Sequence, residues 1–327
     1  MQQTDKGRQK GAVCDSFEMA ATKAATIGAA DVQMLALDMD GTTLNNAQEL
    51  TPRTMAALRA ARAAGIEVVI ATGRPAYVLQ RAIDELALPG GVPCVNFNGA
   101  CAMRMFTHNM CGSPLAAPPK EPELLFTEAL DEETTVMVLG ACEKLGLCVS
   151  YTTADGATAS PVTAEHEALL ARFEALEGVA QRRVTPREDG SSTCCRHLVG
   201  PALKIIALTA TPEASAEAAR AVLPEGLCYV VAAEVHIEFL RAGVSKGLSL
   251  QRLCTEHLEV PLDAVRAYGD NHNDAEMLRL VGQGVAMANA KDAIKKLPGV
   301  RVCEWSNDED GVAKEVELLL AARAAAQ

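Results

Sequence analysis

The sequence predicts an α/β protein: a Rossmann-like, doubly wound parallel sheet core that carries an inserted α+β domain. Three observations predict it. Short apolar strands alternate with amphipathic helices over residues 33–100, that rhythm breaks over 101–240, and it resumes over 241–327. Strands of this kind separated by helices form parallel sheets covered on both faces. In the middle stretch, strands follow one another through short turns, which is the signature of an antiparallel sheet.

"QMLALD" (33–38) reads as a buried strand: short, apolar and ended by a polar residue. "TPRTMAALRAARAAG" (51–65) reads as a helix with Thr51 as N-cap, Pro52 at the first helical position, Arg62 near the end and Gly65 just beyond it. "IEVVIATG" is a second strand, "PAYVLQRAIDELAL" a second helix and "VPCVNFNGA" a third strand. In the inserted part, "DEETTVMVLGACEKLG" is helical. "LCVSYTTADGATAS" reads as two strands turning at Asp155-Gly156, and "AEHEALLARFEAL" as another helix. The polar stretch from Arg182 to Pro201 reads as a long surface loop. "ALKIIALTA", "PEASAEAARAVL", "LCYVVAA" and "EVHIEFLRA" follow as strand, helix, strand, strand. The resumed rhythm runs from a helix capped by Ser245, through the strand "VRAYGD", the helix "NDAEMLRLVG" and the strand "GVAMANA". It closes with a short helix, the strand "VRVCEW" and a C-terminal helix. Hinges between the two parts are expected near Asn98–Cys101 and Leu240–Gly243.

Bulk properties narrow the function. A formal charge of −12 argues against nucleic acid or an anionic membrane as the main partner, since both select a basic face. No apolar run is long enough for a transmembrane helix. Eleven cysteines without regular spacing in a chain of 327 residues read as reduced core thiols of an intracellular protein. Residues 1–32 read as a poorly ordered extension. They lack a signal-peptide core, and Asp5, Asp15 and Glu18 weaken a transit-peptide reading, so a cytoplasmic location is expected.

Ligands of open α/β sheets sit outside the carboxyl ends of the strands. Four segments expected there carry reactive groups: Asp38-Met39-Asp40, Thr72-Gly73-Arg74, the stretch from Gly243 to Lys246, and Gly269-Asp270. If these converge, several carboxylates, a hydroxyl and an ammonium share one site. A hard cation holds such carboxylates together, and Mg²⁺ suits oxygen ligands that also meet a phosphate; Asp38 and Asp270 would supply side-chain oxygens. A carboxylate can attack phosphorus, forming an aspartyl phosphate, provided Mg²⁺, Lys246 and backbone N–H groups screen the charge. Asp40, two residues on, is the natural general acid/base. Gly41 lets the backbone turn, and Thr72 and Gly73 offer a hydroxyl and an N–H to a phosphoryl oxygen. Blander readings compete at several positions. Thr72, Asp270 and Asp274 could be helix caps. Lys246 could be a solvated first-turn lysine, although a cation there opposes the helix dipole. Cys194, Cys195 and His197 match no common zinc spacing. His236 and His272 read as satisfied or solvated side chains.

"DMDGTTL", "ATGRP", "GVSKG" and "GDNHND" resemble, in order and spacing, the four motifs of the haloacid dehalogenase superfamily of phosphohydrolases. An insert between the second and third motifs resembles the C2-capped, Cof-type branch (subfamily IIB), as do "VNFNGA" and "GVAMANA"; the likeness spans residues 33–325. It implies that Asp38 is the nucleophile and a Mg²⁺ ligand, and that Asp40 is the acid/base with its backbone carbonyl on the metal. It also implies that Met39 donates its backbone N–H to the phosphoryl group, which Thr72, Gly73, Lys246 and Asn273 also bind. Asp270 would complete the metal shell and Asp274 orient Asp270 or Lys246. Met39 and Thr43 stand where the family often has other residues, His272 fills a variable slot, and the stretch 182–201 has no counterpart in the family pattern. The expected activity is Mg²⁺-dependent hydrolysis of a small phosphorylated metabolite, a sugar phosphate or similar monoester, by a monomer or homodimer. The alternative is a non-hydrolytic phospho-ligand binding or regulatory protein; the presence of Asp40 favours the enzyme.

Overall fold

A computed structural model describes residues 28, 31–108, 120–153, 156–184, 202–232 and 235–326. Two sheets organise it. The larger has the order β14-β13-β12-β1-β2-β3-β4-β5. Its parallel part comprises β1 (Met34–Leu37), β2 (Glu67–Ala71), β3 (Val92–Asn96), β12 (Val265–Gly269), β13 (Gln283–Ala286) and β14 (Val300–Val302). β4 (Cys101–Met105) and β5 (Glu123–Thr127) continue this sheet in antiparallel sense from β3.

β1 is apolar throughout because both of its faces are covered. Leu35 and Leu37 pack with α1 (Pro52–Ala63), α2 (Ala76–Leu86) and α9 (Gly311–Ala325) through Leu58, Ile83 and Val316. Met34 and Ala36 pack on the other face with α6 (Lys246–Leu253), α7 (Ala275–Leu280) and α8 (Asp292–Lys295) through Leu253, Met277 and Ile294. The caps read from sequence are in place at two helices: the Thr51 side chain accepts from Thr54 N, and that of Ser245 from Leu248 N. Helix α7 is shorter than "NDAEMLRLVG" suggests, because the tight turn His272–Asp274 precedes it.

The second sheet has the order β10-β11-β9-β6-β7-β8. β6 (Cys148–Thr153), β9 (Lys204–Leu208), β10 (Cys228–Ala232) and β11 (His236–Arg241) pair antiparallel, as do β6 and β7 (Gly156–Ser160). β8 (Arg182–Arg183) pairs parallel to β7. So the first two residues of the expected 182–201 loop are strand. Residues 185–201, with Cys194, Cys195 and His197, lie outside the described residues, as does Asp155 of the expected turn. Val149, Tyr151, Ile205, Ala207, Ile237 and Phe239 pack one face against α3 (Glu132–Lys144) and α5 (Pro212–Val222). The other face is covered in part by Leu170 and Phe173 of α4 (Ala164–Glu177).

The sequence places residues 101–240 in the inserted domain, but β4 and β5 hydrogen-bond to the core sheet instead. The physical reason is visible in the strands: Ala102 and Phe126 turn into the core cluster of β1 and β2. The outgoing hinge therefore does not sit at Cys101. The chain crosses after β5, where Leu130 pairs with Ala202 of the inserted part, and it returns after Arg241. Glu128 holds this neck together, accepting from Arg241 and from Arg252 of α6. None of the described cysteines forms a disulfide, and no described helix is long and apolar enough to cross a membrane.

Candidate active site

Parallel pairing of β1 with β2 and β12 brings their carboxyl ends side by side. Asp38 leaves β1 still paired, its N–H donating to Tyr268 O at 3.1 Å, and its carbonyl accepts from Thr43 Oγ1 at 2.6 Å. These bonds fix the direction in which the Asp38 side chain leaves the sheet. Lys246, at the start of α6, reaches in from the side with its ammonium 2.6 Å from Asp38 Oδ1 and 2.7 Å from Asp274 Oδ1. It is buried, as are both carboxylates, so a solvated first-turn lysine is not what this residue is. Asp270 and Asp274 do lie at the turn before α7, but they do different jobs. Asp274 Oδ2 accepts from the backbone N–H groups of Asp270 and Asn271, both at 3.0 Å, which with Lys246 occupies both of its oxygens. Asp270 accepts from Thr42 Oγ1 at 3.3 Å.

Carboxylate oxygens of Asp38, Asp270 and Asp274 lie within 4.8 Å of one another. Three carboxylates against one ammonium leave a formal excess of two negative charges, with Asp38, Asp274 and Lys246 buried and Asp270 half-buried. Burial and then the Asp274 charge push the Asp38 carboxyl well above its ordinary range, against the pull of Lys246. Burial and Asp274 also raise Asp270. Burial works against the Lys246 charge, but Asp274 and Asp38 outweigh it and keep the ammonium protonated. A divalent cation would balance the excess. Asp38 and Asp270 have oxygens to give it, whereas Asp274 is spent on Lys246 and the backbone.

Asp40 stands apart from this cluster. Its carboxylate is gripped by Arg74, whose Nε lies 2.8 Å from Oδ2 and whose Nη2 bonds Oδ1 and also Gln48. Gly41 follows with φ of 76°, and a side chain there would place its Cβ 2.6 Å from Asp270 Oδ2, so only glycine lets the turn lie against Asp270. Asn289 secures the same turn, donating to Gly41 O at 2.7 Å and accepting from Asn307 N at 3.0 Å.

Thr72 follows β2, fully buried, and its hydroxyl accepts from Arg74 N at 3.1 Å. It does not cap α2, whose capping position is Pro75. Gly73 lies against Asn98, whose N–H donates to Thr72 O at 3.0 Å and whose Oδ1 accepts from Asn273 Nδ2 at 2.9 Å. Thus Asp38, Lys246, Asp270 and Asp274 form one cluster, and Thr72, Gly73 and Asn273 are linked through Asn98. Asp40 is adjacent to the cluster but tied to Arg74. The side chains of Arg74, Asn98 and Asn289 carry no role in the sequence reading. Each sits in a stretch that the reading singles out, "ATGRP", "VNFNGA" or "GVAMANA", but nothing in the spacing tells where those side chains point.

The family model for haloacid dehalogenase-like hydrolases matches residues 35–316. Phosphatase YwpJ of Bacillus subtilis is 28% identical over 316 residues, covering 88% of this chain and 100% of that protein. A solved haloacid dehalogenase-like hydrolase from Bacteroides thetaiotaomicron shares the fold with a TM-score of 0.72 at 22% identity, over 88% of this chain and 99% of that one. The subclass IIB sugar phosphatase BT4131 does so with a TM-score of 0.66 at 20% identity, over 89% and 100%. With the four motifs meeting at one sheet end and a second sheet inserted between the second and third, the chain belongs to the haloacid dehalogenase-like hydrolases.

Proposed function

We propose that the protein is a Mg²⁺-dependent phosphomonoesterase that acts on a small phosphorylated metabolite through a phosphoenzyme on Asp38. The observation that carries this reading is the Lys246 ammonium set between Asp38 and Asp274, with Asp270 alongside, at the end of the parallel sheet. Lys246 occupies only one Asp38 oxygen, which leaves the other to attack phosphorus. In this reading the Asp38 Oδ2–P bond forms as the P–O bond to the leaving group breaks, and Asp40 gives that oxygen a proton. Asp40 then takes a proton from water as it attacks the phosphoryl group on Asp38, releasing phosphate and restoring the carboxylate. Both Asp40 oxygens are engaged by Arg74, so the proton transfers require Arg74 to yield one of them. Lys246, Thr72, Gly73, Asn273 and the Met39 N–H would surround the other phosphoryl oxygens, and Asp274 holds Lys246 in place. Asp38, Asp270 and the Asp40 carbonyl would hold Mg²⁺, which when bound offsets the charge of carboxylates and phosphate together.

The purified protein with Mg²⁺ should release phosphate from phenyl phosphate and from members of a phosphosugar panel. Asp38→Asn and Asp40→Asn should each abolish turnover. Substantial hydrolysis by Asp38→Asn would remove it as the nucleophile, and binding of phosphate esters without any turnover would favour the regulatory alternative.

A further inference from the structure

A cleft lies between Pro75, Tyr77 and Phe97 of the core and Thr152, Phe173 and Lys204 of the inserted part. One wall includes Pro75, next to the Arg74 that grips Asp40, and Phe97, next to the Asn98 that bonds Thr72 and Asn273. Its surface is of two kinds. Tyr77 and Phe97 of the core and Phe173 of the inserted part give it flat apolar area, and Lys204, Thr152 and Gln181 of the inserted part present polar groups.

Those polar groups are donors. Gln181 Oε1 is taken by Ser150 Oγ at 2.6 Å, which leaves the amide NH₂. Lys204 is buried, with its ammonium 2.7 Å from Glu238 Oε1 and two further N–H bonds to give. His236 Nε2 lies 3.3 Å from the same Glu238 oxygen and turns its ring edge-on to Phe173. Glu238 cancels the charge of Lys204 without using all its donors, and Glu177 adds another carboxylate to the lining. The cleft therefore offers hydrogen-bond donors with no net positive charge. Acceptor oxygens on an uncharged group meet good partners there, whereas a second phosphate meets a lysine already neutralised.

Resting on the phosphatase reading above, we propose that this cleft takes the leaving group of the substrate. Lys204, Thr152 and Gln181 select phosphomonoesters whose leaving group is uncharged, with hydroxyl or carbonyl oxygens along one edge and an apolar face toward the aromatic wall, and they discriminate against substrates bearing a second phosphate.

The test compares paired substrates, hexose 6-phosphate with hexose 1,6-bisphosphate and nucleoside 5′-monophosphate with 5′-diphosphate; the two pairs distinguish a polyol from a flat heterocycle. Phenyl phosphate, which has no acceptor edge, is the control. At least one monophosphate should exceed its doubly phosphorylated partner in kcat/KM by about tenfold or more. Glu238→Gln, which unmasks the lysine charge, should narrow that ratio about fivefold or more by raising the second member. Lys204→Met/Glu238→Leu removes both charges together and so avoids a stranded carboxylate. It should lower kcat/KM for the preferred monophosphate about tenfold and leave phenyl phosphate within about twofold. Preference for the doubly phosphorylated member of each pair, or an equal loss on phenyl phosphate, overturns the assignment. The same ratios measured as binding constants in Asp38→Asn by titration calorimetry do not depend on turnover. Absent hydrolysis of every ester by the wild type would therefore refute the proposed reaction while leaving the cleft assignment to stand or fall on binding.

Discussion

Replacing Lys246 by Met removes one ammonium from between two buried carboxylates, which it meets at 2.6 and 2.7 Å. Nothing else can take its place: Asp274 Oδ1 has no other described donor, and the side chain is only 1% exposed, so water does not reach the gap. Removing one partner of a buried pair typically costs about 3–5 kcal/mol, because the remaining charge is left unpaired. At roughly 2–4 °C per kcal/mol for a domain of ordinary size, the melting temperature should fall by about 10 °C. Activity should fall further than stability alone explains, since Lys246 is also expected to meet the phosphoryl group; losing one such donor costs about 10²–10³ in kcat. Thermal melts and kcat/KM on phenyl phosphate, measured well below the new midpoint, separate the two effects. A melting temperature within about 2 °C of the wild type would refute the pairing energetics drawn from the geometry. A large melting shift with kcat/KM intact would confine Lys246 to holding the fold.

Three further outcomes follow from particular contacts. Gly41→Ala forces a Cβ to within 2.6 Å of Asp270 Oδ2 at a φ of 76°; it should cost about 1–3 kcal/mol in thermal melts and lower kcat at least about tenfold. Mg²⁺ at about 100 times its Kd should stabilise the wild type by about 2.7 kcal/mol in thermal melts, and Asp270→Asn should lose most of that shift; an undiminished shift would place the cation elsewhere. Burial favours a neutral Glu238, yet Lys204 and His236 hold its carboxyl down at about 2 against an ordinary 4.5. Because the folded value is the lower one, this pair stabilises the fold above about pH 4.5 and loses that contribution as the pH falls toward 2. The difference corresponds to about 3 kcal/mol. Wild type and Glu238→Gln should therefore differ in urea midpoint at pH 7 and converge near pH 2, and a constant difference across that range would contradict the pairing.

The contrast between the carboxylate cluster and the cleft explains what the sequence could disclose. The cluster is built from strand ends and one helix start. In a parallel sheet every strand delivers its last residue to the same edge, so Asp38, Thr72 and Asp270 are neighbours once the strands are recognised, whatever their exact register. Their job also demands charge imbalance, and unbalanced carboxylates are conspicuous in a sequence. Asp40 shows the limit of that logic. Its proximity was legible, but its grip by Arg74 depends on side-chain direction, which spacing does not carry. The strands β4 and β5 were misplaced for a related reason: two short segments after the second motif fit the edge of either sheet, and only the pairing of β4 with β3, and of β5 with β4, decides. The cleft is harder still. Lys204 and Glu238 lie 34 residues apart on β9 and β11, and they meet because Glu238 stands opposite Ile206, two positions along from Lys204 on the same face. A slip of one residue would turn either side chain to the face packed against α3 and α5. Moreover, the pair is internally neutral, as its proposed role requires, so in the sequence it is one lysine and one glutamate among many. The imbalance that calls for a cation and a phosphate advertises itself along the chain; the balance that would sort one phosphate ester from another becomes visible only when the antiparallel register of the inserted sheet is in hand.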